Sequence, residues 1–425
     1  MSAFRFVSYE LAGDTAAFVY ADDAREYREQ VRFATGTEKY DEALVDRALF
    51  LAFILIGTSY YKVSPTREVL IEQGGIDEWQ AKFFTRVYQD GLSQYAYEND
   101  LNRDDLAVFA PSGQAAVAVP SHGSGILSLQ SGGKDSLLVA SLLEQAGRVY
   151  TPWYVTNDTS HPSVLDTLAG ASLAVAHRQL DREGLRAAAS AGGLNGHVPV
   201  TYIILSLAVV QAILLGKNTV LAAIAHEGDE PHAWIDDLPV NHQWSKTWQA
   251  EKVFADYVQR YISPDIRVGS PLRALSELKV AELFVGHAWK KYGASFSSCN
   301  VANYQQGTDN TTLSWCGNCP KCANSYLLFA PFIDQETLQA RLGGDLFVKS
   351  ELTATFKGLL GVDGHMKPFE CVGEVDELRQ AYHMSQLNGY TPLPFTVPPS
   401  SFDKDHIYPA QDWAEELVRN NSSQR

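Results

Sequence analysis

One stretch, residues 126–136, constrains the fold of this chain more than any other. It reads ILSLQSGGKDS and joins a short apolar strand to a leucine-rich helix through a glycine-rich turn. Two adjacent glycines let the backbone N–H groups of the turn point at one anion, and the start of the helix adds the positive end of its dipole. The stretch therefore predicts a phosphate-binding turn between a strand and a helix.

The side chains of this turn favour nucleotide binding but exclude the commonest nucleotide-binding loop. A Walker A loop needs glycine five residues before its last glycine and Ser or Thr after its lysine, and this chain has Ser128 and Asp135 there. A strand-to-helix turn that is merely rich in glycine is the alternative. The residues predicted to contact phosphate are Ser131, Gly132, Gly133, Lys134, Asp135 and Ser136.

Composition indicates a globular protein without a nucleic-acid surface. The chain has 425 residues, 45% of them hydrophobic and 20% charged, and its formal net charge is −16. It has no basic run or arm, so neither DNA nor RNA is an expected partner. The first residues lack the basic and apolar pattern of a signal peptide, which predicts a cytoplasmic protein. The apolar stretches at 40–56 and 201–225 are interpreted as buried elements rather than membrane spans.

The order of strands and helices predicts an α/β fold with a doubly wound parallel sheet. Strands alternate with helices from residue 125 onward, and a strand at 149–156 ends at Asn157 and Asp158. Ligands bind at the carboxyl ends of such strands, so these two residues are candidates for nucleotide contact, with a simple Asx turn as the alternative. We expect an N-terminal α+β domain at 1–120, a nucleotide-binding domain at 121–298, a metal-binding segment at 299–330 and a C-terminal region at 331–425.

A polar and aromatic stretch follows the fourth predicted strand, at 219–225. It contains His226, His242 and Lys246, whose side chains can transfer protons or contact a substrate. The alternative is the start of a helix, capped by Ser245 or Thr247. A further helix is predicted to open at 271–277, and its Arg273 is a candidate phosphate partner.

Four of the five cysteines lie close together in the sequence and predict a metal site. Three recur at intervals of three residues, and the fourth precedes them by seventeen positions. Four thiolates suit tetrahedral zinc in a structural site; a redox pair or an iron–sulfur cluster is the alternative. Cys371 lies outside this group and is expected to be a structural thiol. As a candidate for proton transfer it ranks after the two histidines and Lys246. The predicted ligands are Cys299, Cys316, Cys319 and Cys322.

Several motifs together resemble a known family. The SGGKDS turn is similar to the PP-loop of the ATP pyrophosphatase superfamily, and its combination with four cysteines is similar to the 7-cyano-7-deazaguanine synthases. The chain as a whole resembles the bacterial UDP-N-acetylmuramoyl-L-alanyl-L-glutamate epimerases (MurL). The motifs that carry this resemblance are residues 59–62 (SYYK), 131–136 (SGGKDS), 153–158 (WYVTND), 241–246 (NHQWSK), 315–322 (WCGNCPKC) and 367–373 (KPFECVG).

The resemblance implies an enzyme of peptidoglycan-precursor synthesis with the fold of the adenine nucleotide alpha hydrolases. Such an enzyme uses ATP and Mg²⁺ to invert the terminal L-Glu of UDP-N-acetylmuramoyl-L-Ala-L-Glu, and it releases AMP and pyrophosphate. Three alternatives stay open: a carboxylate-adenylating enzyme like the deazaguanine synthases, a zinc-stabilised nucleotide sensor or scaffold without turnover, and a sulfur-transferring tRNA enzyme. The missing basic patch argues against the tRNA enzyme.

Overall fold

The computed structural model describes residues 3–36, 40–235, 237–305 and 311–419. Runs of alternating apolar residues and short buried apolar segments form the strands, as expected for a sheet covered on both faces. The strands of the described chain are β1 (Phe4–Ala12), β2 (Thr15–Ala21), β3 (Glu26–Arg32), β4 (Val69–Ile71), β5 (Ile126–Leu129), β6 (Tyr150–Thr156), β7 (Ala174–Gln179), β8 (Thr219–Leu221), β9 (Ala233–Ile235), β10 (Leu238–Val240) and β11 (Arg267–Gly269).

Nine of these strands form one continuous sheet in the order β11-β8-β5-β6-β7-β3-β2-β1-β4. The five strands from β11 to β7 are parallel, whereas β3, β2 and β1 continue the sheet with antiparallel pairings. Strands β9 and β10 form a separate hairpin. The sheet therefore crosses the predicted domain boundary near residue 120, and the division of the chain into four segments stays a prediction.

Helices cover both faces of the sheet. Neighbouring residues of one strand enter different cores: Leu127 and Trp153 pack in one cluster, while Ile126 and Tyr154 pack in the other. The helices are α1 (Glu42–Ile56), α2 (Thr58–Tyr61), α3 (Glu78–Gln89), α4 (Ser93–Glu98), α5 (Lys134–Gln145), α6 (Arg182–Ser190), α7 (Val200–Leu214), α8 (Trp248–Tyr257), α9 (Glu277–His287), α10 (Trp289–Tyr292), α11 (Pro320–Phe329), α12 (Gln335–Leu342), α13 (Thr353–Leu359), α14 (Val375–Leu387) and α15 (Asp412–Val418).

The expected α/β class with a largely parallel central sheet is confirmed, although several elements differ from the prediction. The alternating residues 4–34 predict two strands, but the structure has three there, because β3 also alternates strictly between exposed and buried residues. The helix predicted to open at 271–277 begins only at Glu277, because residues before the N-cap Ser276 form turns. Residues 77–100, whose apolar spacing predicts one helix, form two helices, α3 and α4.

One helix in the described part of the chain is long and apolar enough to cross a membrane by length and composition. It comprises α1 and α2 together, Glu42–Tyr61, with 20 residues and a mean hydropathy of 1.6. The protein itself buries 83% of its apolar window. Helix α1 packs against α7 and β1, so it is the central helix of one core, in agreement with the sequence interpretation.

A buried ion pair marks the seam where the sheet changes from parallel to antiparallel. Arg178 on β7 donates to both carboxylate oxygens of Glu29 on β3, at 2.6 and 3.2 Å. Ser59 accepts from the same guanidinium at 3.1 Å, and the Tyr60 hydroxyl donates to Glu29 at 2.7 Å. Burial would lower the pKa of Arg178, but the Glu29 carboxylate outweighs it and raises that pKa. Ser59 and Tyr60 of the SYYK motif thus form hydrogen bonds with Arg178 and Glu29, the charged residues that the described strands bury at this seam.

Removing the carboxylate at this seam is expected to destabilise the fold strongly. Glu29→Ala leaves the Arg178 guanidinium buried without its counter-charge, which should lower the free energy of unfolding by about 3–5 kcal/mol. The matched control is Glu72→Ala, which breaks the Arg5–Glu72 pair, whose side chains are 43% and 40% exposed; it should change stability by about 1 kcal/mol or less. Urea unfolding of both variants makes the comparison, and equal midpoints would contradict it.

Candidate active site

The glycine-rich loop has the conformation that the sequence predicts. Strand β5 ends at Leu129, the loop turns over residues 130–133, and α5 begins at Lys134. Gly132 has a φ of 78°, in the left-handed region that favours glycine, and a Cβ there would lie 2.4 Å from the Leu313 side chain. The backbone conformation therefore favours glycine at this position, and a Cβ would also displace the Leu313 side chain.

Two serine hydroxyls hold the loop closed against the start of α5. The Ser136 hydroxyl accepts from the Ser131 backbone N–H at 3.2 Å and donates to the Gly133 carbonyl at 3.2 Å. The two hydroxyl oxygens are themselves 3.2 Å apart. Ser131 is exposed, whereas Ser136 is buried. The loop is thus preorganised, with one hydroxyl and the N-terminus of α5 facing outward.

Lys134 lies between two carboxylates. Its ammonium contacts Asp135 at 2.5 Å and also contacts Glu277, the first residue of α9. Burial would lower the pKa of Lys134, but Asp135 and Glu277 outweigh it and raise that pKa, so the side chain is cationic at neutral pH. The pair Lys134–Glu277 joins the loop to a helix that lies 143 positions later in the sequence.

A cavity of about 290 Å³, here called the loop cavity, opens beside this loop. Its wall includes Ser131, Gly133, Asp135 and Ser136 from the loop. Parallel strands β5 and β8 deliver their carboxyl ends to the same edge of the sheet, and ligands of α/β proteins bind at such an edge. Three further polar groups on the wall come from distant segments: Lys246, Lys321 and Cys371.

Asn157 and Asp158 lie beside the loop cavity rather than in it. They line a neighbouring cavity of about 240 Å³ at the carboxyl end of β6, and this cavity shares the lining residues Ile204 and Tyr304 with the loop cavity. The same two residues also border a polar cavity of about 690 Å³ against the antiparallel strands. The structure therefore brings them next to the loop, at the end of the adjacent parallel strand.

Of the three favoured candidates for proton transfer, His226, His242 and Lys246, the structure brings Lys246 to the wall of the loop cavity. It closes a short 3-10 turn, and its ammonium lies 3.7 Å from Glu227. Burial would lower the pKa of Lys246, but Cys371 and Glu227 outweigh it and raise that pKa. The next residue, Thr247, caps α8 by accepting from the Ala250 N–H. The stretch thus contains both the helix start and a cavity residue.

His242 lies in a cluster of imidazoles near this cavity. Its Nδ1 is 2.7 Å from the Gln94 side-chain oxygen, and its ring centroid lies 4.2 Å from that of His197 and 5.8 Å from that of His232. Burial, followed by the charges of Lys246 and Lys321, lowers the pKa of His242 to about 4. The imidazole is therefore neutral at pH 7.

The structure places His226 and Arg273 away from the wall of the loop cavity. His226 stacks on Tyr408 with ring centroids 3.5 Å apart, and its nitrogens face Asp229 and Glu374 at 3.3 and 3.4 Å. Arg273 is fully buried, with its guanidinium 2.8 Å from Glu251. Their assigned catalytic and phosphate-binding roles stay predictions, since neither side chain lines the loop cavity.

The four predicted metal ligands converge on one point. All four sulfur atoms lie within 4.8 Å of one another, and the nearest pairs are 3.5–3.7 Å apart. A tetrahedral zinc with Zn–S bonds of about 2.3 Å requires sulfur atoms about 3.8 Å apart, so this donor set fits zinc. Pro320 and Gly317 make the tight turns between the last three cysteines, and Pro320 also starts α11.

The cysteine cluster also supports the loop cavity. Ser298 and Asn300, on either side of Cys299, line the cavity, and so does Lys321, between Cys319 and Cys322. The Ser297 N–H donates to the Gly132 carbonyl at 3.2 Å, which ties this segment directly to the glycine-rich loop. A metal bound by the cluster would therefore fix one wall of the cavity as well as the local fold.

Sequence reasoning missed several residues of the cavity. Lys321 and Ser298 could have been found from their position next to predicted metal ligands. Glu277 and Gln130 carry no such signal, because the first meets the loop only through tertiary packing and the second is one polar residue at a strand end. Cys371 was ranked last among the proton-transfer groups, and yet it lines the cavity.

Comparisons with known proteins place these features in a family. The family model described as the MurL N-terminal domain matches residues 1–270, and that of the MurL C-terminal domain matches residues 295–389. A UDP-N-acetyl-alpha-D-muramoyl-L-alanyl-L-glutamate epimerase of Xanthomonas oryzae pv. oryzae is 34% identical over 90% of this chain and 85% of its own length. Epimerases of the same name from Micromonospora sp. and Salinispora tropica are each 34% identical over 89% of this chain, and over 85% and 83% of their own lengths. The chain therefore belongs to the MurL family.

Proposed function

We propose that this protein is an ATP-dependent epimerase that converts UDP-N-acetylmuramoyl-L-Ala-L-Glu to the D-Glu epimer by adenylating the terminal carboxylate. Its three relatives named above carry the name of this epimerase, and the chain spans most of their length. The observation that supports the ATP-dependent chemistry is the loop cavity, where an anion-binding loop faces Lys246 and Lys321. The PP-loop superfamily and its fold are part of this proposal.

Adenylation is the step that the glycine-rich loop is suited to assist. The glutamate carboxylate attacks the α-phosphorus of ATP, and the bond to pyrophosphate breaks, so that an acyl-adenylate and pyrophosphate form. The backbone N–H groups at the start of α5 and the Ser131 hydroxyl would hold the phosphates. Asp135 is a carboxylate of the same wall and suits Mg²⁺, which would neutralise phosphate charge when bound. Asn157 and Asp158, one strand away, would contact the nucleoside.

Adenylation makes inversion possible because it acidifies the α-hydrogen. A free carboxylate repels the charge that develops at Cα, whereas an acyl-adenylate withdraws electrons from that carbon. A group in the cavity then removes the proton, and a second group returns one to the opposite face. Lys246 is retained as one of these groups, because its ammonium lines the cavity. His226 and His242 stay weaker candidates by position. Water finally cleaves the anhydride and releases AMP.

The proposal predicts a defined set of products in deuterated water. Incubation of the purified protein with ATP, Mg²⁺ and the L-Glu substrate in D₂O should give D-Glu with deuterium at Cα, since the proton that returns comes from solvent. AMP and pyrophosphate should appear in parallel with D-Glu. Chiral chromatography with mass spectrometry and a pyrophosphate assay measure both.

The same incubation separates the alternatives. A deazaguanine-type enzyme would leave L-Glu unchanged and would consume ATP only with ammonia and 7-carboxy-7-deazaguanine. A nucleotide sensor would bind ATP and release no pyrophosphate with either substrate. Inversion that proceeds without ATP would show that the protein is an epimerase that does not adenylate its substrate.

Loss of the exposed hydroxyl of the loop should weaken ATP use without unfolding the protein. A hydrogen bond to a charged group contributes about 1.5–3 kcal/mol, so Ser131→Ala should reduce kcat/KM for ATP by roughly tenfold or more. The control is Ser190→Ala, which removes a hydroxyl from the exposed end of α6. Pyrophosphate release at varied ATP concentration measures the effect, and equal values for both variants would argue against phosphate binding at the loop.

The cysteine cluster is proposed to hold one structural zinc ion. Metal analysis should find about one zinc per chain. Cys319→Ser should lose the zinc and lower both the soluble yield and the melting temperature, because formation of such a site contributes directly to folding. Cys371→Ser is the matched control, since this thiol lies outside the cluster, and it should keep its zinc. A stable, zinc-free wild-type protein would refute the assignment.

A further inference from the structure

Cys371 is the one cysteine of the chain that does not belong to the four-sulfur cluster. It is not in either hydrophobic core, and instead it lines the loop cavity together with residues of the glycine-rich loop. A buried structural thiol would be packed by apolar side chains, whereas this one shares its cavity wall with two lysines and a carboxylate. Its position therefore calls for a chemical explanation.

The backbone around Cys371 is held at several points. Lys321 donates to the Cys371 carbonyl, Gln243 donates to the Val372 carbonyl at 3.1 Å, and the Gly373 N–H donates to Asn324 at 3.0 Å. These partners come from two segments that are distant in sequence, helix α11 and the stretch that contains Gln243. Such support fixes the backbone that carries the thiol, as a group that acts on a substrate requires.

The charges around the thiol favour its ionised form. Burial alone would raise the pKa of Cys371, and Glu277 acts in the same direction, but Lys246 and Lys321 outweigh both and lower the pKa. A thiolate stabilised by neighbouring cations is the reactive form of cysteine.

A separate feature, the side chain of Gln130, indicates that the same cavity binds a polar ligand. Gln130 lines the cavity and is only 6% exposed, and its amide nitrogen donates to Ser128 at 3.1 Å. Its side-chain oxygen has no hydrogen-bond partner among the described residues. A buried acceptor without a donor is unfavourable, so a ligand that donates a hydrogen bond there would be stabilised.

We propose that Cys371 is the catalytic base that removes the α-proton of the adenylated glutamate, with Lys246 as its partner acid. This inference rests on the proposed function, because it assigns a residue to the inversion step. The thiolate takes the proton from one face of Cα and becomes a thiol, and an enolate of the acyl-adenylate remains. The Lys246 ammonium gives a proton to the opposite face. The thiol then loses its proton to water and the Lys246 amine takes one from water, which restores the starting pair.

The test separates inversion from adenylation. Cys371→Ser and Cys371→Ala are compared with the wild type for pyrophosphate release, D-Glu formation and deuterium uptake from D₂O, each started from the L-Glu substrate. Adenylation should continue in both variants, because the loop is unchanged. Inversion and deuterium uptake should fall by roughly 10²–10⁴-fold, the usual contribution of a general base. Zinc content and melting temperature show whether the variants are folded.

Met366→Ala is the control on the same segment, since this side chain is 51% exposed and outside the cavity wall. The Met366→Ala variant should retain pyrophosphate release, D-Glu formation and deuterium uptake. Inversion at the wild-type rate in either cysteine variant would overturn the proposal. Loss of pyrophosphate release together with inversion, in a folded variant, would overturn it as well, because the thiol would then serve adenylation. A wild-type protein that releases no pyrophosphate would instead reject the proposed function.

Alkylation provides a second measurement that needs no substitution. Iodoacetamide should modify Cys371 before any cysteine of the zinc-loaded cluster, as peptide mass spectrometry can show, and ATP with the L-Glu substrate should slow the reaction. The alkylated protein should keep pyrophosphate release and lose inversion. A Cys371 that reacts no faster than an ordinary thiol, with or without the substrates, would contradict a thiolate in the substrate cavity.

Discussion

Parallel pairing of β5 with β6 and β8 is the constraint on which the rest of the structure depends. Because these strands run in one direction and in register, their carboxyl ends meet at one edge of the sheet. The glycine-rich loop follows β5, Asn157 and Asp158 follow β6, and the segment that leads to Lys246 follows β8. The cavities lie where these three ends meet. Antiparallel pairing at any of them would move its polar residues to the opposite edge.

The chain is acidic overall, and yet the candidate site concentrates cations. Residues with positive charge arrive there from separate segments, and each is held by a different device: Lys134 by two carboxylates, Lys321 by its place between two cysteines, and Lys246 by a short turn. A cavity with walls of low dielectric increases the effect of such charges on an anionic substrate. The net charge of −16 is therefore compatible with the proposed binding of ATP and a charged sugar nucleotide.

The features that could be predicted from the sequence are those that local residues determine. The loop follows from two glycines between an apolar strand and a helix, and the cysteine cluster follows from close spacing, so both were located correctly. The family assignment from short motifs is confirmed, whereas the PP-loop superfamily and ATP dependence remain proposals. The partner of Lys134 could not be predicted, because Glu277 reaches it across 143 positions. Strand β3 joins β7 for the same reason, since tertiary packing brings together segments with no local signal.

The lysines at the loop cavity differ in how closely carboxylates pair with their ammonium groups. Lys134 is matched by Asp135 and Glu277, so its position at the start of α5 is fixed. Lys246 and Lys321 have no such tight carboxylate pair among the described residues, since Glu227 lies 3.7 Å from Lys246. The charges of Lys246 and Lys321 lower the pKa of the Cys371 thiol. The two steps of the proposed reaction thus require different electrostatic environments: a cation held closely by carboxylates beside the loop that would bind phosphates, and more loosely held cations beside the thiol that would take the proton from carbon.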